Sequence, residues 1–375
     1  MQKRVLQLDA VRGVAILLVI IHNTDGKYPL PFLQAMADSG WMGVDLFFVL
    51  SGFLITKILL DTRNSGAYFK NFYARRCLRI WPLYYSLLFV IFVLVPLLRP
   101  SESTVIFQAR SSPWWSYPLF LQNFLVPRSS GALGPLGVTW SLAVEEQFYL
   151  LWPWAVRYCS SGQLRRIAVG VICLSPLLRL YLSLHGVDIY SNFFCRLDGL
   201  MAGGLLALVV RADNFRGSRF TRLAWVSLLL ASPLAVWADV PGSRWIVHSL
   251  AVVAAASLVY VALFSSAKWL QRVMTNRALV YTGTISYGLY LLHKIPFDAA
   301  KYLHISGAPF LETPVIVAVT LAIATLSWNL LEKPFLSLKR WFVFTGSDRD
   351  AAEKQRSVHA ADRLHQTLPR AAALN

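Results

Sequence analysis

Long apolar runs recur through the whole chain, and they constrain its fold more than any other feature of the sequence. Each run is roughly 17–22 residues long, the length of an α-helix that crosses a bilayer. Short basic segments separate the runs, a pattern that favours a helical bundle over the alternating strands of a β-barrel. The ten runs occupy residues 8–26, 40–57, 80–98, 138–156, 167–184, 193–210, 222–238, 245–264, 279–298 and 313–331. The sequence therefore predicts an all-α, polytopic membrane helical bundle with about ten transmembrane helices.

Composition and charge agree with this class of protein. Hydrophobic residues make up 56% of the chain and charged residues only 15%, whereas soluble domains carry roughly 25% charge. If the N-terminus is cytoplasmic, about three quarters of the 36 Lys and Arg residues fall in cytoplasmic segments. This asymmetry predicts that both termini are cytoplasmic, and it accounts for the net charge of +17 without nucleic acid.

The two ends of the chain differ in character. Ala35-Met36-Ala37 imitates a signal-peptide cleavage site, but it lies too far beyond the first apolar run, so that run is predicted to be retained as a span. Residues 341–375 are polar and are predicted to form a disordered cytoplasmic tail after a membrane domain of residues 1–340. The four cysteines are scattered without a C-x-x-C spacing, which predicts neither a disulfide framework nor a metal site.

The first apolar run contains two ionisable residues, Arg12 and His22. His22 lies ten positions after Arg12, which is about 15 Å along a helix. This distance places Arg12 near the inner face and His22 in the outer half of the membrane. In one interpretation these side chains only mark the two ends of the span. In the other, His22 transfers protons, because imidazole is the side chain suited to proton transfer near neutral pH.

Four further runs bring ionisable residues to the outer half, and these side chains should face each other or a water-filled cavity. The alternative to a functional site is a set of buried charge pairs, such as Arg196 with Asp198 or with a glutamate, that fixes helix packing. G-x-x-x-G at Gly199 and Gly203, and Ser51-Gly52, predict close helix packing. The ionisable residues of these four runs are Asp45, Glu145, Glu146, Arg196, Asp198, His293 and Lys294.

A basic and aromatic stretch, FKNFYARRCLRIWPLYY, lies at the predicted inner face. Lys70, Arg75, Arg76 and Arg79 recur in it at near-helical spacing. Such residues can anchor the chain to lipid head groups, which is one interpretation. The other is a pocket for a phosphate-bearing cytosolic donor, with arginine forks on the phosphates.

Seven stretches in this order resemble the acyltransferase 3 family of integral-membrane O-acyltransferases. They are LDAVRGVAILLVIIH (8–22), GVDLFFVLSGFLI (43–55), FYARRCLRIWPLYY (72–85), WSLAVEEQFYLLWP (140–153), RLDGLMAG (196–203), GTISYGLYLLH (283–293) and EKPF (332–335). The resemblance implies a multi-pass protein of the cell inner (plasma) membrane with ten helices. It also implies transfer of an acyl group, usually acetyl, from cytosolic acyl-CoA to a hydroxyl acceptor such as a surface polysaccharide, peptidoglycan or a lipid-linked sugar. Acyl-CoA would be a co-substrate, and no tightly bound cofactor is expected.

The resemblance assigns roles to residues of this chain. The family's Arg and His on the first span correspond to Arg12 and His22, although nine residues lie between them here where the family pattern has ten. His22 is then the general base for the acceptor hydroxyl or a transient acyl carrier. Arg75, Arg76 and Arg79 are expected to bind the phosphates of acyl-CoA.

Supporting roles remain open in the sequence. Either Glu145 or Glu146 is expected to orient the imidazole of His22 or to balance its charge, and Tyr149 lies at i+4 from Glu145 on the same helix face, which favours Glu145. The oxyanion of the tetrahedral intermediate needs donors, and Ser51, Asn23 and Lys294 are the candidates.

A transporter or flippase without covalent chemistry is the alternative function, since ten spans with intramembrane charges also suit that class. No inverted repeat relates the two halves of the sequence, which counts against this alternative. Some members of the resembled family carry a C-terminal hydrolase-like domain. The polar tail is too short for one, so the chain is expected to be the membrane unit alone.

Overall fold

The structure, a computed structural model, describes residues 5–24, 28, 30–98, 113–126, 134–212, 218–237, 239–240, 242–302 and 309–343. Within these ranges the chain is helical and has no strand, as the apolar runs predict. The first half contains α1 (Leu6–His22), α2 (Pro31–Ser39), α3 (Met42–Asp61), α4 (Tyr68–Phe89), α5 (Thr139–Tyr158) and α6 (Ser161–Leu184). The second half contains α7 (Phe193–Arg211), α8 (Ser218–Trp237), α9 (Arg244–Phe264), α10 (Lys268–Met274), α11 (Arg277–Thr284), α12 (Ser286–Leu292), α13 (Lys294–Tyr302) and α14 (Pro309–Ser327).

Several shorter elements complete the described chain. A π-helical turn at Val90–Leu94 and a short helix at Val95–Leu98 extend α4, so that one helical stretch runs from Tyr68 to Leu98. The arginines predicted to bind phosphate therefore lie on the same helix as the apolar run that follows them. A second π-helical turn, Trp328–Glu332, follows α14, and then come a short helix at Lys333–Ser337 and a 3₁₀ turn at Leu338–Trp341.

Seven of the described helices are long and apolar enough to cross a membrane, which supports a multi-pass membrane protein. They correspond to seven of the ten predicted spans. The other three predicted spans fall on α1, α5 and the segment from α11 to α13, which do not meet that criterion. The total of ten spans and the cytoplasmic position of both termini stay predictions.

The predicted span 279–298 is wrong as a single helix. The chain there forms α11, α12 and α13, with breaks at Ile285 and His293. The Thr284 hydroxyl donates back to the carbonyl of Val280, a bond that competes with regular helical hydrogen bonding. Pro296 has no amide hydrogen and fits without loss only in the first turn of a helix, which is where α13 holds it.

Helix α3 lies at the centre of the bundle, packed against α1, α5, α7 and α9. The α3–α7 contact is close because both helices present glycine at it. A Cβ atom added at Gly52 would lie 1.9 Å from the carbonyl oxygen of Leu200, and one added at Gly203 would lie 2.0 Å from that of Val49. The predicted role of these glycines in close helix packing is confirmed.

Helix α1 is held in the same way on its other side, against α11. A Cβ atom at Gly283 would lie 1.7 Å from the carbonyl oxygen of Asp9, and one at Gly13 would lie 2.4 Å from that of Leu279. These contacts fix α1 between α3 and α11 and so set the positions of Arg12 and His22. In contrast, α6 and α8 bury little of their apolar windows within the protein, which leaves most of their surface for lipid.

Two predicted segments lie wholly or partly outside the described residues. The long segment 99–137 is described only at 113–126 and 134–137, and the predicted disordered tail only at 341–343.

A glycine-to-alanine substitution tests the α3–α7 contact. We expect Gly52→Ala to destabilise the protein by about 3 kcal/mol, because the added methyl group forces the two backbones apart. Within a helix the same change normally stabilises by up to about 1 kcal/mol, so the sign of the effect identifies the contact. Thermal unfolding of the purified protein in one detergent measures it.

Gly66 provides the matched control, because no atom lies within 4 Å of a Cβ atom added there. Gly66→Ala should leave the unfolding temperature within a degree or two of wild type. An equal, small effect at both positions would contradict the close packing of α3 against α7.

Candidate active site

One cavity brings together the basic residues of α1 and α4 with polar residues of α3 and α5. It holds about 810 Å³ of space between atoms, counted with its opening to solvent. We call it the arginine cavity. Its polar lining includes Arg12, Ser51, Arg76, Arg79, Glu145 and Tyr149.

Glu145 is fixed in the arginine cavity by a short chain of hydroxyl groups. The Tyr149 hydroxyl lies 3.1 Å from Glu145 Oε2 and donates to it, and Ser51 Oγ lies 2.6 Å from the same hydroxyl. Since Tyr149 gives its one proton to the carboxylate, it accepts from Ser51. The guanidinium of Arg76 lies over the Tyr149 ring, 5.4 Å from its centroid. The prediction that Tyr149 shares the face of Glu145 is confirmed.

The two adjacent glutamates differ in position. Glu145 lines the arginine cavity, whereas Glu146 is not part of its lining, because successive helical residues point about 100° apart. Arg12 reaches the same cavity from α1, where its Nη1 donates to Asp9 Oδ1 over 2.8 Å. Glu145 therefore belongs with Arg12 and Arg76.

A second cavity contains His22, and we call it the histidine cavity. It holds about 1020 Å³, counted in the same way. Aromatic rings of Trp41, Trp140, Tyr190 and Tyr290 form much of its wall. Its polar lining also includes Asn23, Lys294 and Asp298. Aromatic faces beside hydrogen-bonding groups suit a ligand that has both apolar and hydroxyl surfaces, such as a sugar.

The ring of His22 is oriented by a backbone carbonyl and not by a glutamate. His22 Nδ1 lies 2.8 Å from the carbonyl oxygen of Ala37, near the end of α2. A carbonyl only accepts, so Nδ1 donates and the neutral ring keeps its lone pair on Nε2. No hydrogen bond to Nε2 comes from the described part of the chain. The prediction that Glu145 or Glu146 orients this ring is therefore wrong, and Ala37 takes that place.

The two cavities meet at a thin wall. Val44 and Tyr290 line both of them. The Tyr290 hydroxyl lies 2.5 Å from Ser141 Oγ, which lines the arginine cavity, and 3.1 Å from the carbonyl oxygen of Val138, which lines the histidine cavity. A ligand group at this end of one cavity is thus separated from the other cavity by the side chains of Val44 and Tyr290. Tyr290 was missed as a site residue, although it lies within the family-like stretch GTISYGLYLLH.

The three oxyanion candidates fall in different places. Asn23 and Lys294 line the histidine cavity, and the Asn23 amide donates to the carbonyl of Val19 over 2.8 Å. Ser51 lines the arginine cavity instead, where it contacts Tyr149. Lys294 is the cation among these candidates that faces the same space as His22.

Asp45, Arg196 and Asp198 of the outer half form buried ion pairs. Arg196 Nη2 lies 2.8 Å from Asp45 Oδ1, and Arg179 Nη1 lies 2.9 Å from Asp198 Oδ2. All four side chains are at most 3% exposed. The predicted pairing of Arg196 with Asp198 is therefore wrong, because α3 and α6 supply the partners.

Aromatic rings surround the Arg196 guanidinium, which lies 5.5–5.7 Å from the ring centroids of Phe48, Trp140 and Tyr190. Rings at this distance stabilise a cation removed from water. This network supports the packing interpretation of Asp45, Arg196 and Asp198. His248, which was not singled out in the sequence, lies 3.7 Å from Asp45 Oδ2 at the edge of the network.

Two further predicted residues lie away from both cavities. His293 is buried between α12 and α13, where its Nδ1 lies 2.8 Å from the carbonyl oxygen of Tyr290, and it is not part of either lining. Arg75 does not line the arginine cavity, and its Nη1 donates to the carbonyl of Phe342 over 3.0 Å. Of the three predicted phosphate-binding arginines, Arg76 and Arg79 reach the cavity.

Comparison with known proteins decides the family. Residues 5–329 match the family described as an acyltransferase domain, which is nearly the whole of the helical part of the chain. The chain belongs to this acyltransferase family. The resemblance found in the sequence stretches is confirmed.

The chain is also similar to named bacterial proteins. It is 28% identical over 361 residues to the peptidoglycan O-acetyltransferase OatA of Listeria monocytogenes, which covers 89% of this chain and 56% of that protein. It is 31% identical over 355 residues to YrhL of Bacillus subtilis, provisionally named a peptidoglycan O-acetyltransferase, covering 87% of this chain and 54% of that protein. A Staphylococcus aureus protein, provisionally named an O-acetyltransferase, is 26% identical over 362 residues, with 88% and 56% covered. The chain thus spans about half the length of these relatives. No solved structure was found to match it.

A double substitution tests the buried pair of Arg196 and Asp45. We expect Arg196→Met alone to cost about 3–5 kcal/mol of stability, because it leaves the Asp45 carboxylate buried without its partner. Adding Asp45→Asn should recover at least half of that loss, since the remaining amide is neutral. Thermal unfolding of the two single variants and the double variant measures the coupling.

The exposed pair of Arg211 and Asp61 is the control, because ion pairs at the surface contribute little. Arg211→Met should change the unfolding temperature only slightly. Strictly additive losses in the Arg196→Met and Asp45→Asn variants would contradict a direct ion pair.

Proposed function

We propose that the chain is a membrane O-acyltransferase that moves an acyl group, most simply acetyl, from cytosolic acyl-CoA to a hydroxyl of a carbohydrate-type acceptor. The observation that carries this proposal is the placement of His22 and the arginines in two cavities that share the wall of Val44 and Tyr290. Family membership supports acyl transfer. The names of the relatives from Listeria and Bacillus support a sugar polymer as acceptor. Because these relatives are bacterial, we place the protein in the plasma membrane of a bacterial cell.

The donor fits the arginine cavity. Arg76 and Arg79 supply guanidinium groups for phosphates, and Arg12 reaches the same space from α1. The neutral arm of acyl-CoA then extends between α3 and α5 toward Tyr290. The acyl group ends at the wall, next to the histidine cavity.

The acceptor fits the histidine cavity, where its hydroxyl meets His22. The hydroxyl oxygen attacks the thioester carbonyl carbon while Nε2 of His22 takes the hydroxyl proton. The carbon–sulfur bond of the tetrahedral intermediate then breaks, the ester remains on the acceptor, and the CoA thiolate leaves with the proton that His22 took from the acceptor hydroxyl. Ala37 maintains the tautomer that leaves Nε2 free to accept.

Charge develops on the thioester oxygen during attack, and donors at the wall stabilise it. We assign this role to the Lys294 ammonium, which lines the histidine cavity beside Tyr290. Glu145, with Tyr149 and Ser51, balances the positive charge of Arg12 and Arg76 in the neighbouring cavity and so positions the donor.

The test measures free CoA released from acetyl-CoA by the protein in nanodiscs, with membrane extract of its source cells as acceptor. We expect His22→Ala and His22→Gln to lower the rate at least about 100-fold, because a general base contributes roughly that much or more. His185 provides the matched control. Its Nδ1 also lies 2.8 Å from a backbone carbonyl, that of Tyr181, but the side chain is exposed just after the end of α6.

His185→Ala should retain the wild-type rate. Wild-type turnover by well-folded His22→Gln would contradict the role of His22. If wild type neither releases CoA nor is thermally stabilised by acetyl-CoA, the donor is wrong, and transport without covalent chemistry becomes the better account.

A further inference from the structure

The last described residues of the chain return to the basic end of α4. The Asn71 side-chain amide donates to the carbonyl of Val343 over 2.7 Å, and Arg75 donates to the carbonyl of Phe342 over 3.0 Å. These two donors are four residues apart on one face of α4. They hold the segment Leu338–Val343 against the helix that carries Arg76 and Arg79.

This contact brings Lys339 into a cluster of cations. The turn Leu338–Trp341 packs against α4, and Lys339 lies within electrostatic range of Arg79, Arg76, Arg75 and Arg12, a group of five cations in all. The side chain of Lys339 is partly buried, and the bulk solvent therefore screens this repulsion incompletely.

Acidic side chains of the described residues lie near three of the other cations of the cluster. Arg12 pairs with Asp9, Glu145 lies near Arg76, and Glu332 lies near Arg79. No carboxylate of the described residues lies at ion-pairing distance from the Lys339 ammonium. An excess positive charge held by a folded segment in this way favours an anionic ligand.

We propose that Lys339 is a donor-binding residue, whose ammonium binds the phosphate groups of acyl-CoA together with Arg76 and Arg79. The inference rests on the proposed function and adds a cation from the C-terminal segment to the donor site. Arg75 holds this segment in place and so acts as a positioning residue. The phosphates of CoA carry roughly four negative charges near neutral pH, which suits a cluster of this size.

The distribution of charge along acyl-CoA agrees with the positions of the cationic cluster and the arginine cavity. The phosphates lie at one end of CoA, and the arm that carries the thioester is neutral. Phosphates bound by Lys339, Arg76 and Arg79 leave the arm to enter the arginine cavity toward Tyr290. The phosphate of an anionic lipid head group has the same chemistry, so the test must separate the two sources.

The experiment measures dissociation constants of CoA and of acetyl-pantetheine, which lacks the phosphates, for the full chain in nanodiscs of zwitterionic lipid. We expect Lys339→Met to weaken CoA binding about tenfold, since it removes one charge-assisted contact. Affinity for acetyl-pantetheine should stay unchanged, and Lys339→Arg should restore CoA binding. Arg340→Met is the matched control, because the neighbouring Arg340 lies exposed over the ring of Trp341.

The unfolding temperature of the ligand-free variants gives a second readout. Lys339→Met should unfold at the wild-type temperature or above it, because it relieves repulsion among the five cations. A clear loss of stability, with equal losses of affinity for CoA and acetyl-pantetheine, would show a structural role and overturn the proposal.

Three further results would also overturn it. Unchanged CoA binding by Lys339→Met beside normal binding by wild type would remove Lys339 from the donor site and leave the proposed function standing. If wild type binds no CoA, the donor of the proposed function fails, and the role of Lys339 fails with it. An effect of Lys339→Met confined to binding of phosphatidylglycerol vesicles would assign the lysine to lipid.

Discussion

Every charge inside this bundle must find compensation within the protein, because hydrocarbon offers none. The structure meets this requirement in two ways. Arg196 with Asp45, and Arg179 with Asp198, neutralise each other in contacts that are closed to solvent. Arg12, Arg76 and Glu145 instead gather around a cavity that a ligand can enter. The same constraint thus separates side chains that hold the helices together from those available for chemistry.

The helices that carry the cavity groups depart most from an ordinary membrane span. Helix α1 has only 17 residues, α5 has two adjacent glutamates, and the run that contains Tyr290 and Lys294 is broken into three helices. Apolar helices such as α6 and α8 lie at the periphery. The centre of the bundle is irregular, and close backbone contacts at glycines of α1 and α3 stabilise it. At these contacts no long side chains lie between the backbones, so the helices that form the cavity walls are fixed relative to each other. Rigidity near the wall matters because acyl transfer requires the two reacting atoms within about 3.5 Å of each other.

The sequence predicts much of this architecture because its strongest signals are local. Apolar runs locate the helices, and the i, i+4 relation correctly places Glu145 and Tyr149 on one helix face, although that face lines the arginine cavity and not the cavity of His22. Ion-pair and hydrogen-bond partners on distant helices leave no local pattern, so the sequence does not reveal them. Arg196 finds Asp45 across 151 positions of the chain, and His22 is oriented by a main-chain carbonyl, which any residue at position 37 would supply. Lys339 joins the arginines only because Asn71 and Arg75 bind the backbone of the segment that follows it.

The central claim is that donor and acceptor enter from opposite sides and meet at the wall of Val44 and Tyr290. Sealed membrane vesicles of the source cells, prepared inside-out and right-side-out, test it most directly, because charged acetyl-CoA does not cross the bilayer. Acetyl-CoA added outside should release CoA in inside-out vesicles, and in right-side-out vesicles only after they are permeabilised. Equal release by both sealed preparations would contradict a cytoplasmic donor cavity separated from the acceptor.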